Sequence, residues 1–151
     1  MPTLKIIAAC ERVLFDQEGP VSVVNIFQRM NVQLQAAPLP DKAVFQSLWS
    51  VFTLWENDPK EVGQEFTQVI QVFAPDGSLF VENEWSFKNT DADSTQFKIR
   101  ARFPTLPIWA EGDVIVRVRL KNIDAEQGSF RFAIRYLPRG EDAKPIEPTK
   151  A

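Results

Sequence analysis

The chain of 151 residues contains no histidine. That removes Ser-His-Asp and Cys-His nucleophile systems, histidine zinc sites and the usual general base near neutral pH. A single cysteine, Cys10, lies in an apolar stretch, where a thiol acts more often as a small core residue than as a nucleophile. Glu82 and Glu84 share one strand parity and so could divide acid and base roles. The plainer reading makes them cross-strand ion-pair partners, with Glu84 opposite Arg100 and Glu82 opposite Arg102 if residues 89–95 close a simple hairpin. Asp91 and Asp93 have a spacing used in calcium loops, but calcium needs about 6–8 oxygen ligands and two acids make a poor site. Six glycines include no phosphate-cradling loop. The sequence therefore predicts no catalytic residue, no bound cofactor and no metal.

Binding chemistry remains. Trp49 and Trp55 fall on one strand parity and Phe52 and Leu54 on the other, whereas a two-layer sandwich buries only one face of each sheet by itself. A loop of the same chain or a second subunit must cover the other face. Trp49, Trp55 and Trp109 are accordingly the candidate association surface. A second candidate is basic. Lys98, Arg100, Arg102, Arg117, Arg119, Lys121, Arg131 and Arg135 all take outward positions on the last strands. Of these, Arg117, Arg119, Arg131 and Arg135 form the candidate basic surface, and Arg119 facing Arg131 across the final hairpin would favour an anionic partner. Glu111, Asp113, Asp124 and Glu126 interrupt the region, and the net charge is −3. A solvated face partly neutralised by Glu82 and Glu84 is the favoured reading, and nucleic acid is disfavoured as a partner.

These side chains must be carried by strands. Residues 3–15 are apolar on both parities, and Asp16-Gln17-Glu18-Gly19-Pro20 turns the chain into residues 21–34, predicted as the second arm of a hairpin. Pro38 and Pro40 make a connection. Residues 41–56 also fit helical spacing behind an Asp41 cap, but Val51, Phe52, Thr53 and Trp55 favour a strand over residues 47–56. Pro75-Asp76-Gly77 marks the strongest hairpin, joining residues 65–73 to 79–88. Alternation then gives strands over residues 96–103, ended by Pro104, and over 114–121 and 130–136.

The expected fold is an all-β, two-layer antiparallel β-sandwich of about eight strands over residues 1–138, with a flexible tail over 139–151. Composition agrees: 44% hydrophobic, 25% charged, 12 Phe and 4 Trp suit one globular, strand-rich domain. Ile7-Ala8-Ala9-Cys10 has the look of a lipoprotein cleavage site, yet Lys5 interrupts the few residues before it, and a signal needs an apolar run of about 7–15. It is predicted to be a strand. No segment reaches the roughly 18 apolar residues of a membrane span, and a lone cysteine suits a reducing compartment, so a cytoplasmic location is expected.

The layout also carries a resemblance. The Cys10-bearing first strand, Val23-Val24-Asn25-Ile26-Phe27, the Leu39-Pro40 break, the Pro75-Asp76-Gly77 hairpin, and Phe103-Pro104 leading to Gly112-Asp113-Val114 resemble a family of small bacterial proteins grouped as a domain of unknown function. The likeness covers residues 4–138. It implies a bacterial cytoplasmic sandwich and brings no catalytic residue with it; the stretch from Trp49 to Trp55 departs from that pattern. Together these readings predict a non-enzymatic module that binds a protein or a second copy of itself, with polyanion binding through the basic face as the alternative.

Overall fold

A computed structural model describes residues 1–16, 19–33, 39–91, 93 and 95–137. The proposed tail over 139–151 lies outside them. Among these described residues nine strands run in order as β1 (Thr3–Phe15), β2 (Val21–Ile26), β3 (Arg29–Gln33), β4 (Val44–Glu56), β5 (Glu65–Phe73), β6 (Leu79–Lys88), β7 (Gln96–Pro107), β8 (Gly112–Leu120) and β9 (Gly128–Leu137). They form two packed sheets, ordered β2-β1-β4-β7 and β3-β9-β8-β5-β6. The chain is an all-β sandwich, and residues 44–56 are a strand, beginning three positions earlier than the β-propensity suggests. All pairings are antiparallel except β3 with β9, which is parallel.

The core lies between the sheets and is built by period-two alternation. Val114, Val116, Val118 and Leu120 of β8 meet Phe132 and Ile134 of β9 from one layer, and Trp49, Val51 and Trp55 of β4 with Ile99, Ala101 and Phe103 of β7 from the other. Trp49 stacks on Phe103 at 4.9 Å and meets Phe132 edge-on at 5.7 Å. Its indole donates to the Thr105 carbonyl at 2.7 Å. Across the core, Gln68 Oε1 accepts from Thr53 Oγ1 and Trp55 Nε1, each at 2.8 Å. The indole of Trp55 can only donate, which fixes the amide orientation.

Three connections depart from the sequence expectation. Residues 21–34 are not one strand. Asn25 takes φ 55, a left-handed conformation that asparagine tolerates better than most residues. Phe27 N then donates to Ala9 O in the first sheet and Ala133 N to Gln28 O in the second, so the chain changes layers within two residues. The Phe27 ring drives the crossing by packing on Phe132 at 5.2 Å and Trp49 at 6.1 Å.

Nor do β6 and β7 form a hairpin, because residues 89–95 carry the chain from one sheet to the other. Glu82 therefore lies opposite Gln71, and Glu84 opposite Val69, instead of Arg102 and Arg100. Finally, Pro104 does not end its strand, which runs to Pro107. Proline is tolerated there because β7 is an edge.

Beyond residue 10, β1 leaves β4, and the β1–β2 hairpin folds over the outer face of its own sheet. Val13, Val21 and Val23 pack on Phe52, Leu54 and Cys10 in a second small core. Arg100 fastens the hairpin, donating from Nη1 to Val13 O at 3.0 Å while its guanidinium lies 5.2 Å from the Phe15 ring centre. Lys98 Nζ reaches Gly19 O.

Candidate binding surface

Trp49 and Trp55 are both 0% exposed, and this corrects the association surface expected from them. Their parity points between the sheets, while the face bearing Phe52 is covered by the β1–β2 hairpin of the same chain. Trp109 is half-buried. It caps the β5–β6 turn, donating to Asp76 Oδ2 at 2.9 Å and meeting Phe80 edge-on at 5.8 Å. Asp76 also accepts from Ser78 Oγ and Ser78 N, and the serine bonds followed by the indole lower its pKa to about 2.

Cys10 is buried, with Sγ 3.6 Å from Ser50 O, and burial pushes its thiol up to about 11. Such a thiol stays protonated at neutral pH and is a poor nucleophile. In the acidic loop, Asp93 N donates to Asp91 Oδ1 at 2.9 Å and Asp91 N to Asn89 Oδ1 at 3.0 Å, ordinary turn bonds. Among the described residues no group of three or more His, Cys, Asp or Glu side chains converges.

The basic face divides into two halves. On β8, Arg117 pairs with Glu126 at 3.2 Å and lies 5.7 Å from the Phe73 ring centre. Lys121 pairs with Glu84 at 3.0 Å, and Glu82 accepts from Gln71 Nε2 at 2.8 Å. Among the described residues Arg119 bonds only to the Leu120 carbonyl, at 3.5 Å, beside the fully buried Val69. These arms lie over the sheet and shield apolar surface. Arg119 does not face Arg131. The register sets Ile115 opposite Arg131 and Arg117 opposite Ser129, because β9 begins two residues earlier than the alternation suggests.

The other half is open. Phe132 and Ile134 point into the core, so Arg131, Ala133 and Arg135 of β9 point outward. Parallel pairing puts Arg29 of β3 beside Ala133 and Asn31 beside Arg135. Arg29, Arg131 and Arg135 thus surround the small Ala133, at Cα spacings of roughly 5–8 Å. All are exposed, and none has an ion pair among the described residues; Arg135 Nη1 bonds only to the neighbouring Ile134 carbonyl at 3.0 Å. Asp113 lies opposite Ala133 by register, and the Glu111 carboxylate accepts from Tyr136 N at 2.6 Å, next to Arg135.

Beside this cluster the crossing from β2 to β3 leaves an open cleft of about 1020 Å³, whose lining includes Ile26, Arg29, Asn31, Leu48 and Ala133. Ile26 is 55% exposed and Leu48 61%. Leu48 shares the outward parity of Phe52 and Leu54, next to a bulge between Gln46 and Trp49. At the rim Asn25 Nδ2 donates to the Glu11 carboxylate. Sequence reading found Arg131 and Arg135 by alternation but missed Arg29, Ile26 and Leu48. The first two depend on the break after Asn25, for which Asn25 was the only local signal; Leu48 follows from the parity it shares with Phe52 and Leu54 and was not singled out.

No family model matches the chain, and no curated protein matches it. Among solved structures it is similar to Pseudomonas fluorescens alkylpurine DNA glycosylase AlkC bound to DNA containing an abasic site analog, with a TM-score of 0.44 and 12% identity, over 85% of this chain and 30% of that one.

Proposed function

We propose that the chain is a non-enzymatic docking domain that receives an acidic, partly apolar segment of a protein on the face formed by β3 and β9. The observation that carries this reading is the cluster of Arg29, Arg131 and Arg135 around Ala133, three exposed guanidinium groups without an ion pair among the described residues. Like charges on neighbouring strand positions cost stability, and a carboxylate partner offsets that cost. The adjoining cleft supplies apolar contact through Ile26 and Leu48. Arginine beside apolar surface is the composition that protein interfaces favour.

A protein segment suits the face better than a nucleic acid. Glu11 at the cleft and Asp113 beside the cluster break the positive surface, whereas a phosphate backbone rewards an uninterrupted run of cations. The buried, protonated Cys10 and the engaged Glu82 and Glu84 support a role without catalysis.

The test is fluorescence anisotropy with a labelled peptide of alternating Glu and Leu. Binding should weaken with added salt, and Arg131→Glu with Arg135→Glu should weaken it by at least roughly tenfold. Arg102→Glu, on the opposite sheet, should leave it unchanged. Absence of binding, or equal loss in the Arg102 variant, would refute the proposal. Tighter binding to a DNA duplex than to the peptide would replace it with the polyanion reading.

A further inference from the structure

The four edges of the two sheets are not equally protected. The strands β2 and β3 are short, and β7 contains Pro104 and Pro107, which remove backbone donors. The remaining edge, β6, runs from Leu79 to Lys88 without proline and pairs with β5 alone among the described strands. Its backbone groups on the far side are available to another strand. Trp85 lies on this edge, on the parity of Phe87, which is buried against Trp55 and Phe97. Trp85 itself is 53% exposed.

From this edge we infer that two copies of the chain associate by antiparallel pairing of β6 with β6 about a two-fold axis through Trp85. The sequence of the strand is self-complementary in that register. Centring on Trp85 sets Trp85 against its copy, Glu84 against Ser86 and Glu82 against Lys88, the last pairing occurring twice by symmetry. Opposite charges and paired aromatic rings are the cross-strand combinations that stabilise antiparallel sheets. Lys88 has no ion pair among the described residues, and Glu82 holds only the neutral Gln71 amide.

Other registers are worse. Centring on Glu84 opposes that carboxylate to its copy, and centring on Asn83 opposes Glu82 to Glu84. Centring on Ser86 shortens the overlap within the strand and draws on Glu84, already held by Lys121 at 3.0 Å. The occupant that fits this edge is therefore a second copy, and the joined sheets would continue across the axis. This surface is separate from the arginine cluster, which lies at the β3 and β9 end of the same sheet.

Sedimentation velocity on the full chain tests the inference, with charge-reversed variants at exposed positions. The wild-type chain should shift from monomer toward dimer as concentration rises. Glu82→Lys alone and Lys88→Glu alone should each weaken association by roughly tenfold, since each variant opposes like charges at two symmetric pairs. An equimolar mixture of the two variants should restore the dimer, because every 82–88 pair in the mixed species is again opposite in sign. Amide exchange from Glu82 to Lys88 should slow with concentration in the wild type. A chain that remains monomeric at high micromolar concentration would overturn the inference, as would a dimer indifferent to both reversals or variants that fail to recover on mixing. Loss of acidic-peptide binding would leave this result untouched, so the two proposals fail independently.

Discussion

At Gln68 a single side-chain oxygen holds donors from the opposite layer, Thr53 Oγ1 and Trp55 Nε1, in a fully buried position. Its own Nε2 is a buried donor without a partner. Gln68→Leu removes that orphan but strips the acceptor from two other buried donors, each costing about 1–3 kcal/mol when unmet. The variant should lose about 1–4 kcal/mol overall in urea unfolding. A change below a few tenths of a kcal/mol would mean that the inter-sheet bonds contribute nothing. Cys10 offers a second test. Its folded pKa of about 11 exceeds the ordinary 9.0. Between those values the unfolded chain has released a proton that the folded chain keeps, so the thiol's contribution to stability declines as pH rises through that window. Cys10→Ala should show a shallower loss over the same range, and a thiol reagent at neutral pH should modify the wild-type residue only on unfolding. Modification of the folded chain at the rate of a free thiol would contradict its burial. The core role of Cys10 was legible because both parities around it are apolar. The burial of Trp49 and Trp55 was not, because parity alone does not tell which side of a strand another segment will cover.

Elements joined by tight turns were the most legible. Pro75-Asp76-Gly77 specifies its hairpin locally: Gly77 takes φ 88, and Gly77 N bonds to Ala74 O at 2.9 Å. Alternation likewise marked β7, β8 and β9. What escaped the sequence were changes of layer. The breaks before β3 and β7 can be read locally, but not which sheet the next strand enters, since a strand reads the same whichever sheet it joins. The Glu82 and Glu84 pairings failed for that reason. Long-range fastening of the β1–β2 hairpin was hidden too, because Arg100 and Val13 lie far apart in the chain. Arg100→Ala removes a charged bond to Val13 O and the contact with Phe15, together worth about 1–3 kcal/mol. Amide exchange should accelerate over residues 11–16 and 21–26 while the β5–β6 hairpin stays protected. Uniform acceleration across both sheets would show that the hairpin has no stability of its own to lose.

On the scale of the whole molecule, the two sheets are covered in different ways. The outer face of the β2-β1-β4-β7 sheet is covered by its own hairpin around Phe52 and Leu54, while Ile6, Val44, Phe45 and Leu48 stay exposed, and the β8 portion of the opposite face is occupied by ion pairs and long side chains. The arginine cluster at β3 and β9 and the free β6 edge lie at the two ends of the second sheet. The two proposed contacts would therefore lie on one layer of the sandwich, at opposite ends. The most direct test of that account is an NMR titration with the alternating Glu and Leu peptide, following the Nε–Hε signals of the arginines and the methyl groups of Ile26 and Leu48. Concentration-dependent shifts confined to Arg29, Arg131, Arg135, Ile26 and Leu48 are expected. Unmoved signals at those residues, or larger shifts at Arg102 and Arg117, would contradict it.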